Sequence, residues 1–255
     1  MTRVFAFRIW LLTLALSAIS ILLCIGYIDR PAAEFFNAHV RPYAVWDWLN
    51  YLLAPLVIIP IAALLFQFGA GCWLLTGRRL AMWTRTPLLY SWGVIWAIAA
   101  EFVFKQIFGR GSPDPTYLDD HFYGFKFFHA GEGWTSFPSG TAISAFAIVA
   151  VTWILVPRWR WLVFIVAVLA CISVTVTNGN WVSDVIAGAF LGASIGWMTV
   201  VLDGNEIVLN CTWTPSEIHP PQKVAELDSV SATARIKADD YSFERNPTSL
   251  PPSSH

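Results

Sequence analysis

The amino-acid sequence predicts an all-α fold, a polytopic membrane protein built as a bundle of six transmembrane helices. Of its 255 residues, 56% are hydrophobic and only 13% are charged, whereas about 25% are charged in soluble domains. Six apolar runs approach or exceed the length of about 20 residues that one bilayer crossing takes. They are residues 9–28, 49–75, 88–104, 141–156, 161–176 and 185–202. These two observations exclude a soluble enzyme of ordinary composition.

The first run, between Arg8 and Asp29, is too long for the apolar part of a signal peptide and has no clear cleavage site. We therefore expect a retained helix. With six crossings, both termini lie on one side of the membrane. That side carries Arg3, Arg8, Arg78, Arg79, Arg85, Arg158 and Arg160, and the other carries Arg30, Arg41, Lys105, Arg110 and Lys126. The side that holds the termini carries more basic residues, and such a side usually faces the cytoplasm. We therefore expect both termini in the cytoplasm and the chain in a cell membrane, which would be the inner membrane in a bacterium.

The second and third runs contain unusual residues. Pro55 and Pro60 in the second run predict a tilted or kinked helix, which also carries Gln67. The third run carries one acid, Glu101, four residues before Lys105. This spacing predicts an ion pair along one helix face, although an acid within a membrane helix is also a functional candidate. The last three runs are short but clearly bounded.

The composition divides the chain near residue 202. Residues 1–202 hold the six runs and a long outer loop, 105–138, which we expect to be functional because long loops in compact proteins usually are. Residues 203–255 are rich in Pro, Ser, Thr and acidic residues and have no apolar period. That composition predicts a disordered cytoplasmic tail.

Charge and cysteine content exclude several functional classes. The net charge of -1 gives no basic excess of the kind that nucleic-acid binding needs. Cys24, Cys72 and Cys171 lie within apolar runs, and neither they nor Cys211 belong to a metal-binding spacing. We therefore expect no nucleic-acid partner, no disulfide framework, no metal and no cofactor.

Three polar clusters lie at the ends of predicted helices. They are Lys105 and Arg110 after the third run, residues 136–141 before the fourth, and residues 178–184 before the sixth. Each cluster also has a simple structural interpretation. The cations of the first reach the lipid headgroups, and Ser139 of the second is an N-cap. Asp184 of the third is an acidic residue in a first helical turn, where negative charge is favourable. In an alternating bundle, however, all three clusters emerge on the same side. Because fixed cations beside a helix N-terminus bind phosphate well, we predict a phosphate site there.

The order of these residues resembles the type 2 phosphatidic acid phosphatase and haloperoxidase superfamily, in its six-helix membrane branch of lipid phosphate phosphatases. The resemblance covers roughly residues 88–202. It rests on Lys-x4-Arg, then Phe-Pro-Ser-Gly, then Ser-Asp-Val-Ile-Ala-Gly at the start of the last helix. It implies a metal-independent hydrolase of lipid phosphates or pyrophosphates at the membrane. It also implies that phosphate is bound by Lys105, Arg110, Ser139 and Gly140. Asp184 corresponds to the acid that orients a nucleophilic histidine.

Both histidines of the family pattern are replaced. The nucleophile position, four residues before Asp184, is Asn180, and the position of the proton donor, directly after Pro-Ser-Gly, is Thr141. An arginine that many members carry falls on Val174, and the first motif is shorter than its commonest form. A carboxamide nitrogen is not a nucleophile at phosphorus, and a threonine hydroxyl is a far weaker acid than an imidazolium. Enzymatic activity therefore stays open, and the residues favour a site that binds without reacting.

Three hypotheses remain. The first is binding of a lipid phosphate or pyrophosphate in the outer leaflet, with hydrolysis lost or strongly reduced. The second is an active phosphatase that uses displaced catalytic groups such as His129. The third is a lipid or ion carrier, for which Gln67 and Glu101 are the polar candidates inside the bundle. The first two differ in whether His129 reaches the site.

Overall fold

The computed structural model describes residues 3–41, 43, 45, 58–76, 84–129, 131 and 133–204. Its α-helices are α1 (Arg3–Leu23), α2 (Asp29–Phe35), α3 (Ile58–Leu75), α4 (Arg85–Phe108), α5 (Gly140–Leu155), α6 (Arg160–Val176) and α7 (Val182–Gly204). Residues 49–57, which begin the second predicted run, and nearly all of the predicted tail lie outside the described residues.

Most of these helices are apolar enough to enter a membrane. The segments Phe7–Val40, Ile58–Leu75, Arg85–Phe108 and Val182–Asp203 are also long enough to cross it. The helices Gly140–Leu155 and Arg160–Val176 are apolar but shorter. The predicted all-α membrane fold is confirmed, and the chain is an integral membrane protein.

The first helical segment extends beyond its predicted end at residue 28. Two π-helical turns, Cys24–Ile28 and Phe36–Val40, follow α1 and α2, so the backbone stays helical through Asp29 to Val40. Pro31 has no N–H to donate to the preceding turn, and the helix is widened just before it. Asp29 is 1% exposed. It therefore lies inside the protein and not at the water boundary where the sequence pattern places it.

The most extensive contact between helices joins α5 and α7. Gly188, Gly192 and Gly196 recur at every fourth residue of α7. A Cβ atom added at Gly192 would overlap the carbonyl oxygen of Ile143, and one at Gly196 would overlap that of Ala147. This spacing of small residues allows membrane helices to approach closely. The contact sets the starts of α5 and α7 side by side.

The opposite end of the bundle is joined by an ion pair. Arg85 Nε, at the start of α4, donates to Asp203 Oδ2, near the end of α7, at 2.8 Å. The pair shows that α4 and α7 are antiparallel. The end of α4 and the start of α7 consequently lie at the same end of the bundle.

Candidate functional site

The three polar clusters meet at one end of the bundle. Ser139 N donates to the carbonyl oxygen of Asp184 at 3.1 Å, which joins the starts of α5 and α7. Arg110, just beyond α4, donates through Nη1 to Ser183 Oγ at 2.6 Å. The alternating helices therefore bring together residues from all three clusters.

Gly109 ends α4 and turns the chain into the bundle. Its φ angle of 46° is left-handed, and its N–H donates to Lys105 O, a helix end that favours glycine. A Cβ atom at Gly109 would overlap the backbone carbonyl oxygens of Lys126 and His129. Glycine at this position thus lets the loop close over α4 and leaves Arg110 inside.

Arg110 is buried between two carboxylates. Its Nη2 donates to Asp29 Oδ2 at 2.7 Å, and its Nη1 donates to Asp184 Oδ1. Asp29 also accepts from Ser183 N at 3.0 Å and from Ser183 Oγ at 2.5 Å. Tyr123 Oη lies 3.0 Å from Arg110 Nη2. We call these five residues the Arg110 cluster; they tie the first helical segment to the outer loop and to α7.

The charges of the Arg110 cluster stabilise one another. Burial opposes the charge of Arg110, but attraction to Asp184 and Asp29 outweighs burial, so the pKa of Arg110 is raised above its ordinary value. Burial also raises the pKa of Tyr123 to about 12, although the positive charge of Arg110 lowers this pKa. Arg110 therefore stays cationic and Tyr123 stays a neutral hydrogen-bond donor.

Asn180, at the nucleophile position of the family pattern, joins the loop before α7 to the loop before α5. Its Nδ2 donates to Ser136 O at 2.6 Å, and its Oδ1 accepts from Ser139 Oγ at 3.3 Å. Asp184 Oδ2 accepts from Ser136 Oγ at 2.5 Å, while its other oxygen binds Arg110. Both ends of the Asn180 carboxamide and both oxygens of Asp184 thus have structural partners.

The start of α5 offers backbone N–H groups to the site. Ser139 is its N-cap, as predicted, and Oγ accepts from Ala142 N at 3.4 Å. N–H groups in a first turn have no carbonyl partner within the helix, and this end of the helix is positive. Gly140 is the first residue of α5, and a Cβ atom added there would lie 2.6 Å from Glu101 Oε2. The Glu101 carboxylate therefore lies directly against the helix start.

Lys105 reaches the same region from α4. Its Nζ donates to Glu101 Oε1 at 2.6 Å, which confirms the predicted pair four residues apart. The Lys105 and Glu101 side chains are 23% and 21% exposed. Both charges are therefore accessible, in contrast to the buried guanidinium of Arg110.

A cavity of about 640 Å³ opens beside this ion pair. Its polar end is lined by Glu101, Lys105, Gly140, Thr141 and Asn180. The rest of the cavity lies between helices and is lined mainly by apolar side chains, among them Ile59, Ile61, Ile98, Ile148 and Val174. The other lining residues include Ser144, Ser173 and Thr177. The cavity therefore combines a charged end with a wall that is mainly apolar.

Other predicted site residues lie elsewhere. Arg110 is not among the lining residues, and the described lining contains no histidine. His129 is exposed, and its ring packs edge-to-face with that of Trp134, with centroids 5.6 Å apart. Gln67 Nε2 donates to Leu88 O at 3.3 Å, which joins α3 to α4.

Asp29 is the residue of this region that sequence reasoning misses. The end of an apolar run is the usual place for an acid, and nothing in the spacing links Asp29 to Arg110. The available signal is that an ionisable residue beside a membrane helix often has a partner inside the protein. A search of the outer loop for that partner would have offered Arg110.

Part of the chain matches a known protein family. Among the described residues, no group of three or more His, Cys, Asp or Glu side chains is arranged to hold a metal ion. No curated protein and no solved structure matches the chain. A family model described as the PAP2 superfamily matches residues 86–207, a segment that contains every predicted catalytic and phosphate-binding residue.

Proposed function

Because residues 86–207 belong to the PAP2 superfamily of type 2 phosphatidic acid phosphatases, we propose that this lipid phosphatase-like membrane protein binds a lipid phosphate or pyrophosphate without hydrolysing it appreciably. The phosphate lies at the polar end of the cavity, beside Lys105 and the start of α5. The hydrocarbon chain follows the apolar part of the cavity between the helices.

The amphipathic cavity is the observation that carries this proposal. Small-molecule sites measure about 300–1,000 Å³ and are mostly apolar with a few polar groups that fix orientation. A cavity of about 640 Å³ with Lys105 at one end matches a charged headgroup and the adjoining part of its chain. The lysine ammonium and the free N–H groups of a helix start are the donors that phosphate oxygens prefer.

Loss of hydrolysis is supported by Thr141 and Asn180. Both side chains line the polar end of the cavity, where the family pattern has histidines. The carboxamide nitrogen of Asn180 is not a nucleophile at phosphorus, and the hydroxyl of Thr141 is a far weaker acid than an imidazolium. The Asn180 carboxamide is also engaged by Ser136 and Ser139. A nucleophile and its acid act as a unit, so loss of both removes most of the rate.

The alternatives have less support. A displaced nucleophile at His129 requires the exposed outer loop to refold over the cavity. A carrier requires a polar path down the bundle, and both Gln67 and Glu101 are engaged within it. By the positive-inside rule, we place both termini in the cytoplasm and the site on the outer face of a bacterial inner membrane.

The test measures binding and hydrolysis with the same purified protein in detergent. Phosphate release is measured with phosphatidate, phosphatidylglycerophosphate and a prenyl pyrophosphate, and binding is measured with a short-chain phosphatidic acid. Lys105→Gln should weaken binding roughly tenfold or more, since a charged hydrogen bond is lost. Lys126→Gln is the matched control, because Lys126 is in the same outer loop but packs its ammonium on Trp134, 4.1 Å from the ring centroid.

Three outcomes are informative. Binding that depends on Lys105, with no phosphate release, supports the proposal. Release that disappears in Lys105→Gln but persists in Lys126→Gln overturns the loss of hydrolysis. Equal binding by all three proteins overturns the assignment of the phosphate to this cavity. A Thr141→His/Asn180→His double variant then asks whether restored histidines suffice for turnover.

A further inference from the structure

Glu101 occupies an unusual position for an acid in a phosphate-binding cavity. Its carboxylate contacts the ammonium of Lys105 and lies against Gly140 at the start of α5. Among the described residues that line the cavity, Lys105 is the cation and Glu101 is the acid. The polar end is therefore already neutralised by the chain itself.

A carboxylate and a phosphate compete for the same partners. Both accept hydrogen bonds from an ammonium group and from the N–H groups of a helix start. Two anions within a few ångströms also repel each other, the more strongly where water is scarce. A phosphate between Lys105 and Gly140 is thus incompatible with the present position of Glu101.

Resting on the proposed function, we infer that Glu101 is a resident anion that holds the phosphate position closed and that a ligand phosphate must displace it. The site then opens only when the ligand's phosphate and chain together outcompete an internal carboxylate. This arrangement lowers affinity for phosphate alone and favours a ligand whose chain also fills the apolar part of the cavity.

Gly140 is part of the same arrangement. A side chain at residue 140 would overlap both oxygens of the Glu101 carboxylate, so glycine is what lets the acid reach the helix start. The role of glycine here is to leave space for the acid, in addition to any role in admitting a phosphate.

The test compares neutral and charged side chains at residue 101. Dissociation constants are measured for two probes, dihexanoyl phosphatidic acid and inorganic phosphate, which share the phosphate group but differ in the chain. We expect Glu101→Gln to bind both probes roughly tenfold more tightly or better, because the competing charge is removed. The lipid should remain the tighter ligand. Glu34→Gln is the matched control, since Glu34 is exposed and its carboxylate accepts a hydrogen bond from Tyr117 Oη at 2.5 Å.

The outcomes separate this inference from the proposed function. If wild-type binding depends on Lys105 but Glu101→Gln binds no more tightly than Glu34→Gln, the inference is overturned and the proposed function stands. If neither wild type nor Glu101→Gln binds either probe, both are overturned. Glu101→Ala repeats the measurement with a shorter side chain, so that poor folding of one variant does not decide the result.

Discussion

Lys105 and Arg110 belong to one sequence motif and lie five residues apart, yet they have opposite environments. The Lys105 side chain is 23% exposed and lines a cavity. The Arg110 side chain is 1% exposed and lies between Asp29 and Asp184. The turn at Gly109 separates them by directing the chain back into the bundle. Motif spacing therefore shows which residues are neighbours, but not which of them a ligand can reach.

The two cations should also differ in what their loss does. Arg110 holds three segments of the chain together, while Lys105 pairs with a residue of its own helix. We expect removal of Arg110 to affect mainly stability and removal of Lys105 to affect mainly ligand binding. Three stability measurements test this difference.

The largest effect is expected for Arg110→Met. Two buried carboxylates then lose their counter-charge, and breaking such a pair costs about 3–5 kcal/mol. Unfolding by heat or denaturant in detergent measures the change. Lys105→Met is the comparison, with a loss of at most about 1 kcal/mol for a partly solvated pair. Equal losses in the two variants would remove the distinction between them.

A smaller effect is expected for Asp29→Asn, because Arg110 keeps Asp184 as a partner. Loss of hydrogen bonds to a charged group costs about 1.5–3 kcal/mol. The Asp29→Asn/Arg110→Met double variant should lose less than the sum of the single losses, since the two side chains are in contact. Strict additivity in the same unfolding assay would mean that the first helical segment is held by other contacts.

The smallest effect is expected for Tyr123→Phe, which removes a hydroxyl that donates to Ile25 O at 2.8 Å. We expect a loss of about 1 kcal/mol at neutral pH. The folded pKa of Tyr123 is about 12 and the unfolded pKa is about 10. The contribution of the Tyr123 hydroxyl to the free energy of unfolding is therefore present below pH 10 and is lost as the pH rises towards 12.

Stability profiles of Tyr123→Phe and the wild type should accordingly converge above pH 10. The exposed Tyr43 supplies the control variant Tyr43→Phe, whose profile should follow that of the wild type throughout. A constant difference between Tyr123→Phe and the wild type up to pH 12 would show that the hydroxyl is not the titrating group.

Much of the fold follows from the sequence because bilayer thickness sets the length of an apolar run. The runs at 88–104, 141–156, 161–176 and 185–202 each lie within a helix or end within one residue of it. Alternation of crossings then predicts which helix ends lie together. The N-cap at Ser139 and the pairing of Glu101 with Lys105 also follow, because both depend only on local spacing.

The rest depends on how helices pack, which local spacing does not reveal. Asp29 meets Arg110 only because the first helical segment lies against α7. Glu101 meets Gly140 only because α4 and α5 are adjacent and residue 140 has no side chain. The repeat of Gly188, Gly192 and Gly196 is visible in the sequence, but the partner helix is not. Composition and periodicity therefore predict the helices, and the packing determines the site.

The Arg110 cluster also constrains how the protein is made. Ser183 donates hydrogen bonds to Asp29, although the two residues lie 154 positions apart in the chain. When the ribosome releases the first helix into the membrane, its acid has neither the arginine nor the last helix to bind. The finished contact forms only after the final helix has inserted. Among the described helices, α7 is thus the one that completes the contact, and a chain that stops before α7 leaves Asp29 without the two hydrogen bonds from Ser183.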